Sequence, residues 1–166
     1  MSKETYIRWM NYLKERPKLV LWMHILNQIA TGSVYLCYPN LLIWCYLNRK
    51  EMLVKAILVP GISFILISLF RKWINRPRPY TEYETPSAIY KEVKGNSFPS
   101  RHIFSVFVIA GTWAAIYPNM VPALALCAIG IVLAIVRVVS GVHYISDVVA
   151  GALLGLLAAF IGFSLF

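Results

Sequence analysis

The sequence predicts an all-α integral membrane helical bundle. It has about five transmembrane helices, six being possible, and an N-terminal amphipathic helix. Three observations predict it. Of the 166 residues, 59% are hydrophobic and mean hydropathy is +0.65, which suits lipid rather than water as solvent. The apolar residues come in runs long enough to cross the ~30 Å hydrocarbon core as helices. Polar residues are gathered into short breaks and one long segment, 71–99.

The elements follow in chain order. Residues 3–16 place Tyr6, Ile7, Met10 and Leu13 among Lys3, Arg8, Lys14 and Arg16, the pattern of a helix lying at the interface. Pro17 breaks it or starts the next segment. The run 19–47 contains His24, Asn27, Gln28 and Pro39; it reads as one span at 27–47 with a wet lead-in, since 19–30 alone is too short to cross. Arg49-Lys50-Glu51 is a tight loop. The second span is 52–70. After the polar segment come spans at 102–117, 121–139 and 144–165, with Pro118-Asn119 as a turn. Two spans separate the polar segment from the turn at 140–143, so both fall on one membrane face. The chain reads as one domain over 1–166, with its motifs within 71–147.

Composition excludes several classes. Sixteen Lys and Arg against seven acidic residues give a net charge of +9. So apolar a chain does not read as a nucleic-acid binder, which carries basic stripes on a soluble domain. Anionic headgroups remain as the partner. Cys37, Cys45 and Cys127 all lie in apolar runs and read as packing residues, without a disulfide framework or metal site. The N-terminus shows no cleavable signal pattern. Trp22, Trp44, Tyr46, Trp73, Tyr80, Tyr90 and Tyr117 near span ends read as interface anchors. Lys91 and Lys94 read as solvated, and His24 as a packing or interfacial residue. Gly151 and Gly155, four apart, permit close helix packing within the molecule.

Three clusters carry the chemistry. The first is Arg71-Lys72-Trp-Ile-Asn-Arg76-Pro77-Arg78-Pro79-Tyr80, closing a span. The second is Ser97-Phe98-Pro99-Ser100-Arg101-His102, opening the next. The third holds Arg137, His143 and Asp147, the only aspartate in the chain. Each charged group in an apolar span costs several kcal/mol, by the order of about 3 for an arginine or aspartate at a span centre, unless it is paired or faces a cavity. His143 and Asp147 are four apart, so a helix would put them on one face. There the carboxylate holds one imidazole nitrogen and leaves the other free to attack. An ion pair of Asp147 with Arg137 is the structural alternative. Arginine forks match phosphate oxygens, and Ser100 sits where a helix N-terminus favours an anion. Two histidines allow one to attack phosphorus and one to protonate the leaving oxygen. One carboxylate does not make a Mg²⁺ cage, so neither metal nor cofactor is expected.

These clusters resemble the three signatures of the type 2 phosphatidic acid phosphatase superfamily, the lipid phosphate phosphatases related to vanadium haloperoxidases. Its Lys-x6-Arg-Pro is matched by Arg71-x6-Arg78-Pro79, with arginine for lysine. Its Pro-Ser-Gly-His is matched by Pro99-Ser100-Arg101-His102, with arginine for glycine. Its Ser-Arg-x5-His-x3-Asp is matched by Val136-Arg137-x5-His143-x3-Asp147, with valine for serine. The resemblance covers ~70–150 well and the N-terminal third only in general character.

The resemblance implies that His143 is the nucleophile, forming a phosphohistidine, that Asp147 orients it, and that His102 is the general acid. Arg71, Arg78, Arg137 and Ser100, with the main-chain amide of Arg101, would bind the phosphoryl group. The Arg101 side chain adds bulk and a charge able to grip a second phosphate. The implied activity is metal-independent dephosphorylation of a membrane lipid phosphate or pyrophosphate, of the undecaprenyl pyrophosphate, phosphatidylglycerophosphate or phosphatidate type. A lipid-to-lipid phosphotransferase and a non-catalytic polyprenyl or anionic-lipid binder are the alternatives; a haloperoxidase is weaker, those relatives being generally soluble. The family implies a multi-pass protein of the cell membrane with an extracytoplasmic site. Lys3, Arg8, Lys14, Arg16 and Lys18, on the site side by this span count, lean the other way by positive-inside counting. A separate span within 19–30 would remove the conflict.

Overall fold

The structure, a computed structural model, describes residues 2–89 and 93–165. Tyr90 and Lys91 lie outside the described residues. The helices are α1 (Lys3–Lys14), α2 (Pro17–Asn48), α3 (Lys50–Ile74), α4 (Pro79–Glu82), α5 (Arg101–Ile116), α6 (Val121–Val139) and α7 (Ile145–Leu165). Helices α2, α3, α6 and α7 are long and apolar enough to cross a membrane, and α5 is a shorter apolar helix. The protein is a multi-pass membrane protein of all-α fold.

Each start and stop has a local cause. Ser2 caps α1 by accepting from the Thr5 amide, and Pro17 opens α2 at its first turn where its missing N–H costs nothing. The α3 helix ends on Asn75 in the left-handed region, φ 43°, a conformation asparagine tolerates better than most residues. Pro118 and Asn119 interrupt the chain between α5 and α6, and Asn119 Oδ1 accepts from the Val121 amide at 2.8 Å.

One expectation about α2 is corrected. The helix runs unbroken from Pro17 to Asn48, so 19–30 is its first third and adds no separate span. His24, Asn27, Gln28 and Pro39 all lie inside this helix, and His24 Nε2 meets Gln28 Nε2 at 3.0 Å. His24 is exposed. The N-terminus therefore lies at the same end of the bundle as the 71–101 segment.

Helix α5 is the axis of the bundle. It contacts α2, α3, α6 and α7, and Ile103, Phe104, Val106, Phe107, Val108, Ile109, Ala110, Thr112, Trp113 and Ile116 are all buried. Its tightest neighbour is α7. A Cβ on Gly151 would lie 2.7 Å from the Ser100 carbonyl, and one on Gly155 would lie 2.6 Å from the Phe104 carbonyl. The two glycines thus let α7 approach the α5 backbone, a packing within the molecule.

Helix α1 lies across one end. Its buried residues are Tyr6, Met10 and Leu13, with Lys3, Arg8 and Lys14 turned outward. Tyr6 donates to the Gly141 carbonyl at 3.2 Å and Trp9 Nε1 to the Val139 carbonyl at 2.8 Å. Burial raises the Tyr6 pKa, so the phenol stays a neutral donor. Gly141, at φ 76°, has the Tyr6 hydroxyl 2.7 Å from where a Cβ would stand. Helix α1 thereby clamps the α6–α7 turn. Of the aromatic residues at span ends, Trp22, Tyr46 and Trp73 are exposed, as anchors should be. Trp44 and Tyr117 instead pack on each other, with ring centroids 4.7 Å apart.

Candidate active site

The ends of α3, α5, α6 and α7 nearest α1 carry the three sequence clusters. His143 and Asp147 do come together, but not on a helical face. Helix α7 starts at Ile145, so His143 precedes it, in the turn clamped by Tyr6. Asp147 is the third residue of the helix, and its Oδ2 accepts from the Tyr144 amide at 3.0 Å. That is the reach of a first-turn carboxylate back to the cap residue. It brings Oδ2 to 3.4 Å from His143 Nδ1 and leaves Nε2 as the other ring nitrogen.

Asp147 is fully buried. A buried carboxylate must be matched by donors or it neutralises. Besides the Tyr144 amide and His143, Oδ2 accepts from Ser97 Oγ at 2.5 Å, and Oδ1 accepts from Arg76 at 2.9 Å. The ion-pair partner is therefore Arg76, not Arg137. Its guanidinium also donates to Ser146 Oγ at 2.9 Å and stacks 4.1 Å over the Tyr144 ring. Tyr144 in turn donates to Glu82 at 2.5 Å. Burial, with the Arg78 and Arg137 charges, lowers the His143 pKa to about 4 against the opposing pull of its hydrogen bond to the Asp147 carboxylate. That direction favours the neutral imidazole at pH 7.

Arg71 and Arg78 fold the long polar segment over this pair. Arg71, in the last turn of α3, donates to the Pro99 carbonyl at 2.5 Å and to the Asn96 carbonyl. Arg78 Nε donates to the Gly95 carbonyl at 3.1 Å. The segment so held delivers Ser97 to the His143 ring, 3.4 Å from Nδ1. The Ser100 amide donates to the Asp147 carbonyl at 2.8 Å, joining the second cluster to the third through the backbone.

A cavity of about 330 Å³ opens beside this construction. Its walls are Ser68, Arg71, Lys72, Arg78, Val93, Asn96, Arg101, His102 and Arg137. Arg137 is 3% exposed, and its Nε is buried without a hydrogen-bond partner, as is Ser100 Oγ. Among the described residues no carboxylate lies within ion-pairing distance of Arg71, Arg78 or Arg137. His143, also 3% exposed, is not a wall residue; its charged neighbours Arg78 and Arg137 are. A second cavity, of about 320 Å³ and mostly apolar, is lined by Thr31, Val34, Tyr35, Tyr38 and Pro39 of α2, Phe64, Ser105, Val106, Ile109 and Leu133. Arg101 and His102 line both cavities, so the two adjoin there.

All eight residues singled out from the sequence thus lie at one end of the bundle. Two others that bear on Asp147 were not singled out as site residues. Ser97 stood inside the second cluster and Arg76 inside the six unspecified positions of the first. Spacing gave neither away, because both reach Asp147 from irregular backbone. Lys94 is exposed, as expected. Among the described residues no group of three or more His, Cys, Asp or Glu gathers as metal ligands would.

Comparison with known proteins bears on family and fold. The family model for the PAP2 superfamily matches residues 52–166. The lipid A 1-phosphatase of Rhizobium etli is 33% identical over 97 residues, 56% of this chain and 41% of that protein. That of Rhizobium johnstonii is 33% identical over 97 residues, 56% of this chain and 39% of its own. The match thus spans about two fifths of these curated relatives. The crystal structure of Aquifex aeolicus LpxE superposes with a TM-score of 0.72 at 24% identity, over 97% of this chain and 93% of that one. The first transmembrane PAP2 type phosphatidylglycerolphosphate phosphatase from Bacillus subtilis gives 0.69 at 24% identity, over 98% of this chain and 81% of that one. At such identities the likeness is one of fold.

Proposed function

Because this chain belongs to the PAP2 superfamily, we propose that it dephosphorylates a membrane lipid phosphate or diphosphate, without a metal ion, through a phosphohistidine. The observation that carries this is Arg137. A guanidinium 3% exposed, with its Nε unpartnered, sits in a wall shared with Arg71 and Arg78. Such a group calls for an anion with several acceptors.

In the proposed reaction the arginines and Ser100 hold the phosphoryl oxygens. Nε2 of neutral His143 bonds to phosphorus while the bond to the lipid oxygen breaks. His102 gives that oxygen its proton. Asp147 fixes the imidazole and stabilises the imidazolium that forms, as the carboxylate of a catalytic triad does. Water then cleaves the phosphorus–nitrogen bond and releases phosphate. Charge on the transferring group is met by arginine donors, the electrostatic work that a metal does elsewhere. The apolar cavity next to His102 suits a lipid tail, so the leaving group would be a lipid alcohol or lipid phosphate.

We place the site on the extracytoplasmic face of the cell membrane. By positive-inside counting the outward cations of α1 favour the opposite face; headgroups can take up their charge on either face, and the family resemblance decides the placement. Labelling of Lys94→Cys by an impermeant thiol reagent on intact cells tests it; labelling only after lysis would put the site inside.

The decisive assay is phosphate release by purified protein in detergent from a panel of lipid phosphates with excess EDTA. Release is expected, and His143→Ala should abolish it while the protein stays folded. Activity at a tenth of wild type or more in that variant removes His143 as nucleophile. Lipid binding without turnover in the wild type would make the protein a binder.

A further inference from the structure

The cavity holds more positive charge than one phosphate group needs. Arg71, Lys72, Arg78, Arg101 and Arg137 all line it. A phosphomonoester brings roughly −1.5 to −2 charges at neutral pH, which three arginines already exceed. Arg101 is close enough for its charge to act on both Arg71 and Arg78. Position matters as much as number. Arg137 and Arg78 are the cations beside His143, whereas Arg101 stands where the cavity meets the apolar one. Arg101 is exposed and its guanidinium lies 5.2 Å from the Phe64 ring centroid. Lys72 is exposed in the same wall.

We infer that Arg101 and Lys72 form a second phosphate subsite, and that the preferred substrate is a lipid diphosphate. This rests on the phosphatase reading above. The terminal phosphate lies by Arg137 and His143, the lipid-bearing phosphate by Arg101, and the tail in the apolar cavity. His143 Nε2 bonds to the terminal phosphorus as its bond to the bridging oxygen breaks. The electron pair leaves with that oxygen on the lipid monophosphate, next to Arg101, with His102 at the same junction to protonate it. Hydrolysis of the phosphohistidine releases inorganic phosphate. Arg101 would thus be a specificity-determining residue, in the position where the family signature has glycine.

The test compares kcat/KM for a polyprenyl diphosphate and the matching monophosphate in wild type, Arg101→Gly, Arg101→Lys and Lys72→Gln. The diphosphate-to-monophosphate ratio should fall at least ten-fold in Arg101→Gly and at least three-fold in Lys72→Gln, and be largely kept in Arg101→Lys. Calorimetry without turnover supplies a second readout. Inorganic pyrophosphate should bind at least ten-fold tighter than inorganic phosphate, and Arg101→Gly should erase the difference. An unchanged ratio in both Arg101→Gly and Lys72→Gln, or pyrophosphate binding no tighter than phosphate, overturns the inference. If no lipid phosphate is turned over but pyrophosphate still binds tighter in an Arg101-dependent way, the phosphatase reading fails and the second subsite stands.

Discussion

Ser97 Oγ lies 2.5 Å from Asp147 Oδ2, while His143 Nδ1 lies 3.4 Å from the same oxygen. The serine makes the shorter bond, and the imidazole shares what remains of that oxygen. Ser97 therefore helps set how firmly Asp147 grips the proposed nucleophile.

Replacing either partner separates the two effects. Asp147→Asn keeps shape but cannot stabilise an imidazolium, so kcat should fall by roughly 10²–10⁴, as general acid–base and triad losses do. KM should change little, because arginines make the phosphate contacts. Ser97→Ala leaves the carboxylate in place with Arg76 and the Tyr144 amide as donors, and should cost less than about ten-fold. Steady-state kinetics beside a thermal melt in one detergent reads both. Equal losses in the two variants would put Ser97 itself in the proton path.

The pH response follows from His143. Its pKa is lowered from 6.5 to about 4, so the unfolded chain takes up this proton first as pH falls. The stability due to a neutral His143 is complete above pH 6.5 and is lost as pH falls from 6.5 toward 4. As the proposed nucleophile, His143 should stay active down to about pH 4. A kcat/KM profile with melts at each pH checks this; an acidic limb centred on the ordinary histidine value would show that burial does not govern His143.

Arg137 makes a separate claim on inhibitors. Vanadate is a phosphate analogue able to adopt five-coordinate geometry, and should compete with substrate for the arginine cavity. Arg137→Ala should weaken that inhibition at least ten-fold. Inhibition that is non-competitive, or indifferent to Arg137, would locate the anion elsewhere.

The α5–α7 contact predicts a stability effect. A Cβ at Gly151 meets the Ser100 carbonyl at 2.7 Å, a backbone atom that cannot swing aside. Gly151→Ala should cost about 1–3 kcal/mol by overpacking, with activity falling in parallel because the same turn donates the Ser100 amide to Asp147. A denaturation midpoint equal to wild type would mean the helices part freely there.

Much of this was legible in the sequence. At four of the five predicted spans a helix stands within a few residues of the apolar run, because run length and hydropathy fix such a helix with little help from tertiary contacts. Helix α2 was read too short: a hydropathy reading counts His24, Asn27 and Gln28 only as polar, whereas all three lie within regular helix, where His24 and Gln28 meet. The eight marked residues gather at one end of the bundle, which short-range spacing and an odd span count were enough to foresee. The His143–Asp147 pairing was foreseen for the wrong reason, since it arises at a helix start. Arg76 and Ser97 were missed because their approach to Asp147 depends on how Arg71 and Arg78 pin residues 95–99, a long-range fact without a periodic signature.

Helix α5, sixteen residues long, measures about 24 Å at 1.5 Å per residue, some ~6 Å less than the hydrocarbon thickness. It carries Ser100, Arg101 and His102 at its start, and longer helices stand round it. Were its far end at one water boundary, its near end would be sunk below the other. On the proposed function, a headgroup would then have to descend to reach the site, and the tail to follow sideways from the leaflet. Turnover in vesicles would be governed by how easily a neighbouring lipid parts from its own: fluid, thin bilayers should feed the site faster than gel-phase or sterol-thickened ones, at equal surface density of substrate.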